Sequence, residues 1–155
     1  MKHLVIVIMI FAVMLPISAQ ESSQSILIGD FDKTLQGFSL NRGELVKVNL
    51  EEEFLLPIEI DFIFDMPNGL GMNNEDLAPG FAGTAGIIDL GLVPLTDNFD
   101  FSEEEFNIFL VPDAIIEGHT YLIKTADAEH YGKIHILNFD SLNETLEFSW
   151  VYLEE

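Results

Sequence analysis

The last third of the chain, residues 118–153, reads GHTYLIKTADAEHYGKIHILNFDSLNETLEFSWVYL. Three runs rich in Tyr, Ile, Val, Phe and Trp are separated by short polar turns, which is how a three-stranded antiparallel meander is written. Strand side chains alternate between faces, so one register settles the whole set. Tyr121, Ile123, Ile134, Ile136, Phe148 and Trp150 fall on one face, and Lys124, Lys133, His135 and Glu147 on the other. The polar face is expected to be open to solvent, with lysines near glutamates across strands, each pair contributing at most a few tenths of a kcal/mol.

The rest of the chain offers shorter strands to pack against this meander. Residues 25–31 (SILIGDF) read as a first strand, and residues 37–48 as a hairpin turning at Asn41, Arg42 and Gly43. Residues 57–64 alternate, with Ile58, Ile60, Phe62 and Phe64 on one face and Glu59, Asp61 and Ile63 on the other. Residues 65–85, rich in Gly, Asn and Pro, read as one long loop of the kind that often carries function. Strand character returns at residues 86–95. At residues 106–111 a strand is favoured over a short helix opened by a Ser102–Glu105 capping box, because Ile108, Phe109, Leu110 and Val111 are β-formers ahead of Pro112. Residues 114–117 read as a short lead-in strand. About eight short strands and no long helix predict an all-β antiparallel sandwich or flattened barrel.

The amino terminus carries a different signal. Lys2 and His3 precede an apolar run over residues 4–15, followed by Pro16, Ser18 and Ala19. That is the form of a signal peptide cleaved after Ala19, leaving a single domain over residues 20–155, and the run is too short to span a bilayer comfortably. The chain has no Cys, so disulfides, thiolate metal sites and a lipid-modified cysteine are excluded, and stability must come from the core that a 48% hydrophobic composition permits. Export without Cys fits a bacterial secreted or periplasmic protein.

Charge narrows the partners. The net charge is −21, and loss of Lys2 with the leader leaves five bases against 27 acids. Such a surface repels phosphate backbones and anionic lipid, so neither nucleic-acid binding nor membrane insertion after cleavage is expected. The expected partner is an extracellular or periplasmic ligand or protein.

Gly118, Tyr121, Lys124, Thr125, Asp127, Tyr131 and Lys133, followed by Phe148, Trp150 and Tyr152, resemble a carboxy-terminal signature of bacterial exported β-domains. These include the HmuY-like haem-binding family, whose tails are similar to G-x-x-Y-x-x-K-T-x-D-G-x-Y-x-K followed by F-x-Y-x-Y. The upstream FSLNRGEL of residues 38–45 looks like an early strand turn of such domains. The resemblance covers about a quarter of the chain and implies the fold, with haem binding as a further implication. Where the pattern has Gly after the Asp, this chain has Ala128, Glu129 and His130. None of His119, His130 and His135 aligns with the family's axial ligands.

Two sets of side chains are candidates for binding. His119, His130 and His135, with Met66 and Met72 around the long loop, offer imidazole and thioether ligands for haem or a transition metal. Asp65, Asn73, Asn74, Glu75 and Asp76 form an oxygen-rich set suited to Ca²⁺, without EF-hand spacing. The pairs Asp30 and Asp32, Asp61 and Asp65, and Asp97 and Asp100 are further carboxylate groupings. No G-x-S-x-G, H-E-x-x-H, P-loop or dinucleotide fingerprint is present, so no catalytic residue is named. The reading is therefore an exported, soluble, non-enzymatic binding module. Its alternatives are a haem or metal carrier and a Ca²⁺-dependent adhesion or carbohydrate-binding module. Amino-terminal sequencing of the exported protein is expected to start at Gln20; a start at Met1 overturns the export reading.

Overall fold

Ten strands and one turn of 3-10 helix make up the regular structure of the computed structural model, which describes residues 23–28, 34–49, 56–65, 68–97 and 105–153. In chain order the strands are β1 Ser23–Ile28, β2 Thr34–Ser39, β3 Glu44–Asn49, β4 Phe62–Asp65, β5 Gly69–Met72, β6 Gly86–Asp89, β7 Phe109–Leu110, β8 Thr120–Lys124, β9 Tyr131–Asp140 and β10 Thr145–Leu153. They form two antiparallel sheets, ordered β1-β10-β9-β8-β6 and β3-β2-β4-β5-β7. The sheets pack face to face as a sandwich and do not close into a barrel, and the strands are more numerous and shorter than expected. The signal peptide, Met66 and the 98–104 segment lie outside the described residues.

The meander forms in the register the alternation requires. Tyr121 pairs with Ile134, Ile134 with Trp150, and Ile136 with Phe148, with one irregularity between Glu147 and Phe148. All of the expected inward side chains are buried. Facing them from the other sheet are Phe38, Phe62 and Phe64. Phe38 lies 5.1 Å from Phe148 edge-on, 5.5 Å from Trp150 and 5.6 Å from Phe62, centroid to centroid, so rings of both sheets interlock in one cluster. Edge-to-face pairs of this kind add about 0.5–1.5 kcal/mol each beyond the area they bury.

The outer face of the meander is not open. Lys133 is only 3% exposed, and its ammonium donates to the carbonyl of Asp97, while Thr120 Oγ1 donates to Val93 O at 2.5 Å. Residues 93–97 therefore lie across β8 and β9. The expected lysine–glutamate neighbours do not form: Lys133 sits between Leu122 and Val151, and Lys124 lies over the Phe106 ring, 5.5 Å from its centroid. Burial pulls the Lys133 pKa down, and the charge of Asp97 opposes it.

Three other expectations change. Residues 57–60 turn rather than extend, with Ile60 N–H donating to Pro57 O, so Ile58 points outward and the strand begins at Phe62. Both faces of β4 are buried, because Leu56, Ile60 and Ile63 form a second small cluster with Val46 and Phe81. The expected long loop contains β5, buried throughout, where Gly71 lets Ile63 and Leu77 approach. Residues 112–114 form the 3-10 turn in place of a lead-in strand, whereas β7 bears out the strand reading near residue 109.

Asp61 joins the two layers. It stands just before β4 and is 3% exposed; its Oδ2 accepts Leu40 N–H at 2.7 Å and its Oδ1 accepts Ala126 N–H at 2.9 Å. Leu40 follows β2 in one sheet and Ala126 follows β8 in the other. Burial pushes the Asp61 pKa up to about 6, with the nearby Asp127 charge adding to it, although the two backbone donors pull the other way.

The folded state then holds a proton on Asp61 that the unfolded chain releases, across the window from the ordinary value of 3.8 to about 6. Stability contributed by this group falls as pH rises through that window, by up to about 3 kcal/mol. Asp61→Ala is expected to destabilise the protein more at about pH 4.5 than at about pH 7.5, in paired denaturant titrations. An equal loss at both would contradict the burial of this carboxylate. Gly43→Ala is expected to cost roughly 1–3 kcal/mol, because Gly43 has φ +66° and a Cβ would run into the Trp150 ring; thermal melts give the sign.

Candidate functional site

The end of the sandwich that carries the β2–β3 and β8–β9 turns gathers most of the functional groups that the fold does not consume. Asn41, Arg42 and Gly43 turn the first hairpin, with Gly43 N–H donating to Ser39 O at 2.8 Å. Residues 125–130 turn the second, where Ala128 takes a left-handed φ of 63° and Thr125 N–H donates to His130 O. Residues 57–61 fill the space between. Ser39, Asn41, Arg42, Ile58, Glu59, Asp61, Thr125 and Asp127 line a small concavity of about 80 Å³.

Its electrostatics are one-sided. Three carboxylates, Glu59, Asp61 and Asp127, face one guanidinium. Arg42 is already engaged, 3.3 Å from Glu59 and 3.7 Å from Glu44, and all three side chains are about half exposed. Burial alone would raise Asp127. Hydrogen bonds from Thr125 Oγ1 at 2.6 Å and Glu129 N–H at 3.0 Å, with the adjacent His130, outweigh it and hold that carboxyl below its usual value. The site thus offers a fixed anion at Asp127 beside a second carboxylate, Asp61, that changes charge near neutrality.

The three histidines do not converge. His119 Nδ1 lies 3.0 Å from both oxygens of Asp89 at the far end of β8. His135 Nδ1 donates to Thr120 Oγ1 at 2.9 Å on the outer face of the meander. His130 sits in the β8–β9 turn, 5.5 Å from the Tyr152 ring. Met72 is fully buried in the core, which removes it as a ligand, and Met66 lies outside the described residues. No two of these candidates share a partner, so the expected haem or metal set is not assembled.

The expected calcium set is dispersed for a different reason. Asn73 is a buried clamp: Nδ2 donates to Pro57 O and Ile60 O at 3.0 and 2.8 Å, and Oδ1 accepts from Ala82 and Gly83. Asn74 bonds Ala85 O and Asp76 N–H, and Asp65 accepts from Asn68 at 2.5 Å. Glu75 and Asp76 point to solvent. These side chains hold the 57–85 region together, with Asn73 and Asn74 spending their oxygens on backbone. Asp97 contributes a backbone carbonyl to Lys133, and Asp30, Asp32 and Asp100 lie outside the described residues.

Sequence reasoning passed over Asp127 and Glu129 as binding groups, although the departure at residues 128–130 from the G-x-Y pattern of similar tails was their signal. Among the described residues, Asp127, Glu129 and His130 are the group of potential metal-ligating side chains whose donor atoms lie within 4.8 Å of one another. No helix among the described residues is long and apolar enough to cross a membrane.

No family model matches the chain, and no curated protein matches it. The fold is similar to the crystal structure of a DUF4466 family protein from Parabacteroides merdae ATCC 43184, with a TM-score of 0.51 and 16% identity. The alignment covers 84% of this chain and 52% of that protein, so the chain spans about half its length. At that identity the likeness is one of fold: it supports a β-fold found in a bacterial protein and shows no link to the HmuY-like family.

Proposed function

We propose that the chain is an exported, non-enzymatic binding module that receives a cationic group of its ligand at the turn end of the sandwich. What carries this reading is the imbalance of the concavity, where Glu59, Asp61 and Asp127 face Arg42 alone. A space of about 80 Å³ suits one ammonium or guanidinium group rather than a whole cofactor. Arg42 acts as a resident cation that an incoming one displaces from Glu59. Displacement costs little, because a half-exposed ion pair contributes about 0–1 kcal/mol. The acidic surface steers cations toward this end.

The non-enzymatic reading is supported by the partners of the candidate groups. Thr120 Oγ1, the hydroxyl beside His135, gives its proton to Val93 O, and among the described residues no hydroxyl is bonded to the Asp89–His119 pair. Haem carriage of the HmuY-like kind is the weaker alternative, since two axial ligands must face one iron and the three histidines are spread over separate sites.

Titrating ¹⁵N-labelled protein with the tripeptides Gly-Arg-Gly, Gly-Lys-Gly and Gly-Glu-Gly tests the proposal. The cationic peptides are expected to shift the amide signals of Ser39, Arg42, Thr125 and Asp127, and the acidic one to leave them in place. Glu59→Gln should weaken binding several-fold and Arg42→Ala should tighten it. Equal shifts with all three peptides, or none, overturn the reading.

A further inference from the structure

Beside the concavity, with which it shares Asp127, the β8–β9 turn brings together three side chains whose chemistry is that of a metal chelate. Asp127, Glu129 and His130 each present a donor atom, and these lie within 4.8 Å of one another. All three come from a single four-residue stretch, so their mutual placement is set by one turn and does not depend on how the sheets settle. Four-coordinate Zn²⁺ with oxygen and nitrogen ligands at about 2.0–2.2 Å places its donors about 3.4 Å apart. The carboxylates of Asp127 and Glu129 are both exposed at this turn.

A second observation points to a ligand here. His130 is about one-third exposed, but its Nδ1 atom is shielded from solvent and its nearest recorded partner is Asp127 Oδ2 at 3.6 Å, longer than a normal hydrogen bond. Shielded side-chain nitrogens are seldom left so loosely paired, and an imidazole grouped with two carboxylates is a metal-ligand arrangement. Among the described residues the other such nitrogen is Trp150 Nε1, whose strand pairs with β9 two positions from Gly132, toward this same end. His119 and His135, by contrast, have both found protein partners for their Nδ1 atoms.

Asp127 is prepared for the role by its own contacts. Thr125 Oγ1 and Glu129 N–H both occupy Oδ1, which leaves Oδ2 as the atom turned toward His130. One carboxylate oxygen of Asp127, the His130 imidazole and the Glu129 carboxylate are thus gathered at one turn. We propose that the Asp127–Glu129–His130 turn is a binding site for a divalent transition metal ion of the Zn²⁺ or Cu²⁺ type, with water completing its coordination. One imidazole and two carboxylates match these ions better than Ca²⁺ or Mg²⁺, which take oxygen donors. The site shares Asp127 with the concavity, but Glu59 and Arg42, on which the cationic-ligand reading turns, take no part in it.

Calorimetric titration of the untagged protein with ZnCl₂ after chelator treatment tests it, alongside ¹H–¹⁵N spectra of the imidazoles. One Zn²⁺ is expected to bind with loss of the free His130 Nδ1 signal, and His130→Ala and Glu129→Gln are each expected to weaken binding tenfold or more. His119→Ala and His135→Ala should leave it unchanged. The exposed Glu129→Gln variant guards against a folding effect, and Glu59→Gln, which tests the neighbouring concavity, should bind Zn²⁺ as the parent does. Unchanged affinity in His130→Ala and Glu129→Gln, or perturbation confined to His119 and Asp89, overturns the assignment.

Discussion

The interlocking of Phe38 and Phe62 from one sheet with Phe148 and Trp150 from the other is the contact on which the remaining structure hangs. Centroid separations of 5.1–5.7 Å bring the two layers into edge-to-face contact along one line. With no Cys in the chain, nothing covalent holds the sheets together. The cluster also fixes what lies just beyond it. Leu40 follows Phe38 by two residues, Asp61 precedes Phe62 by one, and Gly43 packs on Trp150. Seating the rings therefore seats the turns.

Asp61 shows what that proximity costs and provides. At 3% exposure its carboxylate is desolvated, and its pKa rises to about 6. An isolated buried carboxylate would be strongly unfavourable, but here each oxygen accepts one backbone N–H, at 2.7 and 2.9 Å, from a different sheet. The same bonds supply acceptors for two amides that the turns would otherwise bury unpaired. A tie made of backbone donors fixes position without supplying a counter-charge, so Asp61 and its neighbour Asp127 remain an acidic pair beneath the concavity.

Much of the fold was legible because period-two alternation has one reading once a core face is chosen. Every inward residue assigned in the meander is buried, and the first hairpin turns where Gly43 and its positive φ require. The losses share a cause: alternation identifies two faces but not what covers the second. Lys133 and Thr120 belong to the polar face by parity, and that face is roofed by residues 93–97, from a distant part of the chain. Asp61 likewise alternates with Glu59, yet one is buried and the other half exposed. β5 was hidden because Gly69 and Gly71, which read as loop residues, are what permit its close packing. The candidate site fared less well than the fold. Its groups come from three segments that meet only after the sheets pack, whereas His119, His130 and His135, all from one stretch of the chain, lie at separate places.

The acidity of the chain bears on the electrostatics of this end. A net charge of −21 is a mild destabiliser when spread over a solvated surface, since salt screens exposed charges beyond about 10 Å. Carboxylates drawn together by packing are different, because Glu59, Asp61 and Asp127 line one small space. The fold meets part of that repulsion itself by laying Arg42 between Glu44 and Glu59. Across the space stands Asp127, and the positive group recorded beside it among the described residues is the His130 imidazole, charged only when protonated. The acidic lining is thus only partly offset by the chain's own bases. The arrangement that stabilises the sandwich through Asp61 is therefore also the one that makes its turn end attractive to positive charge.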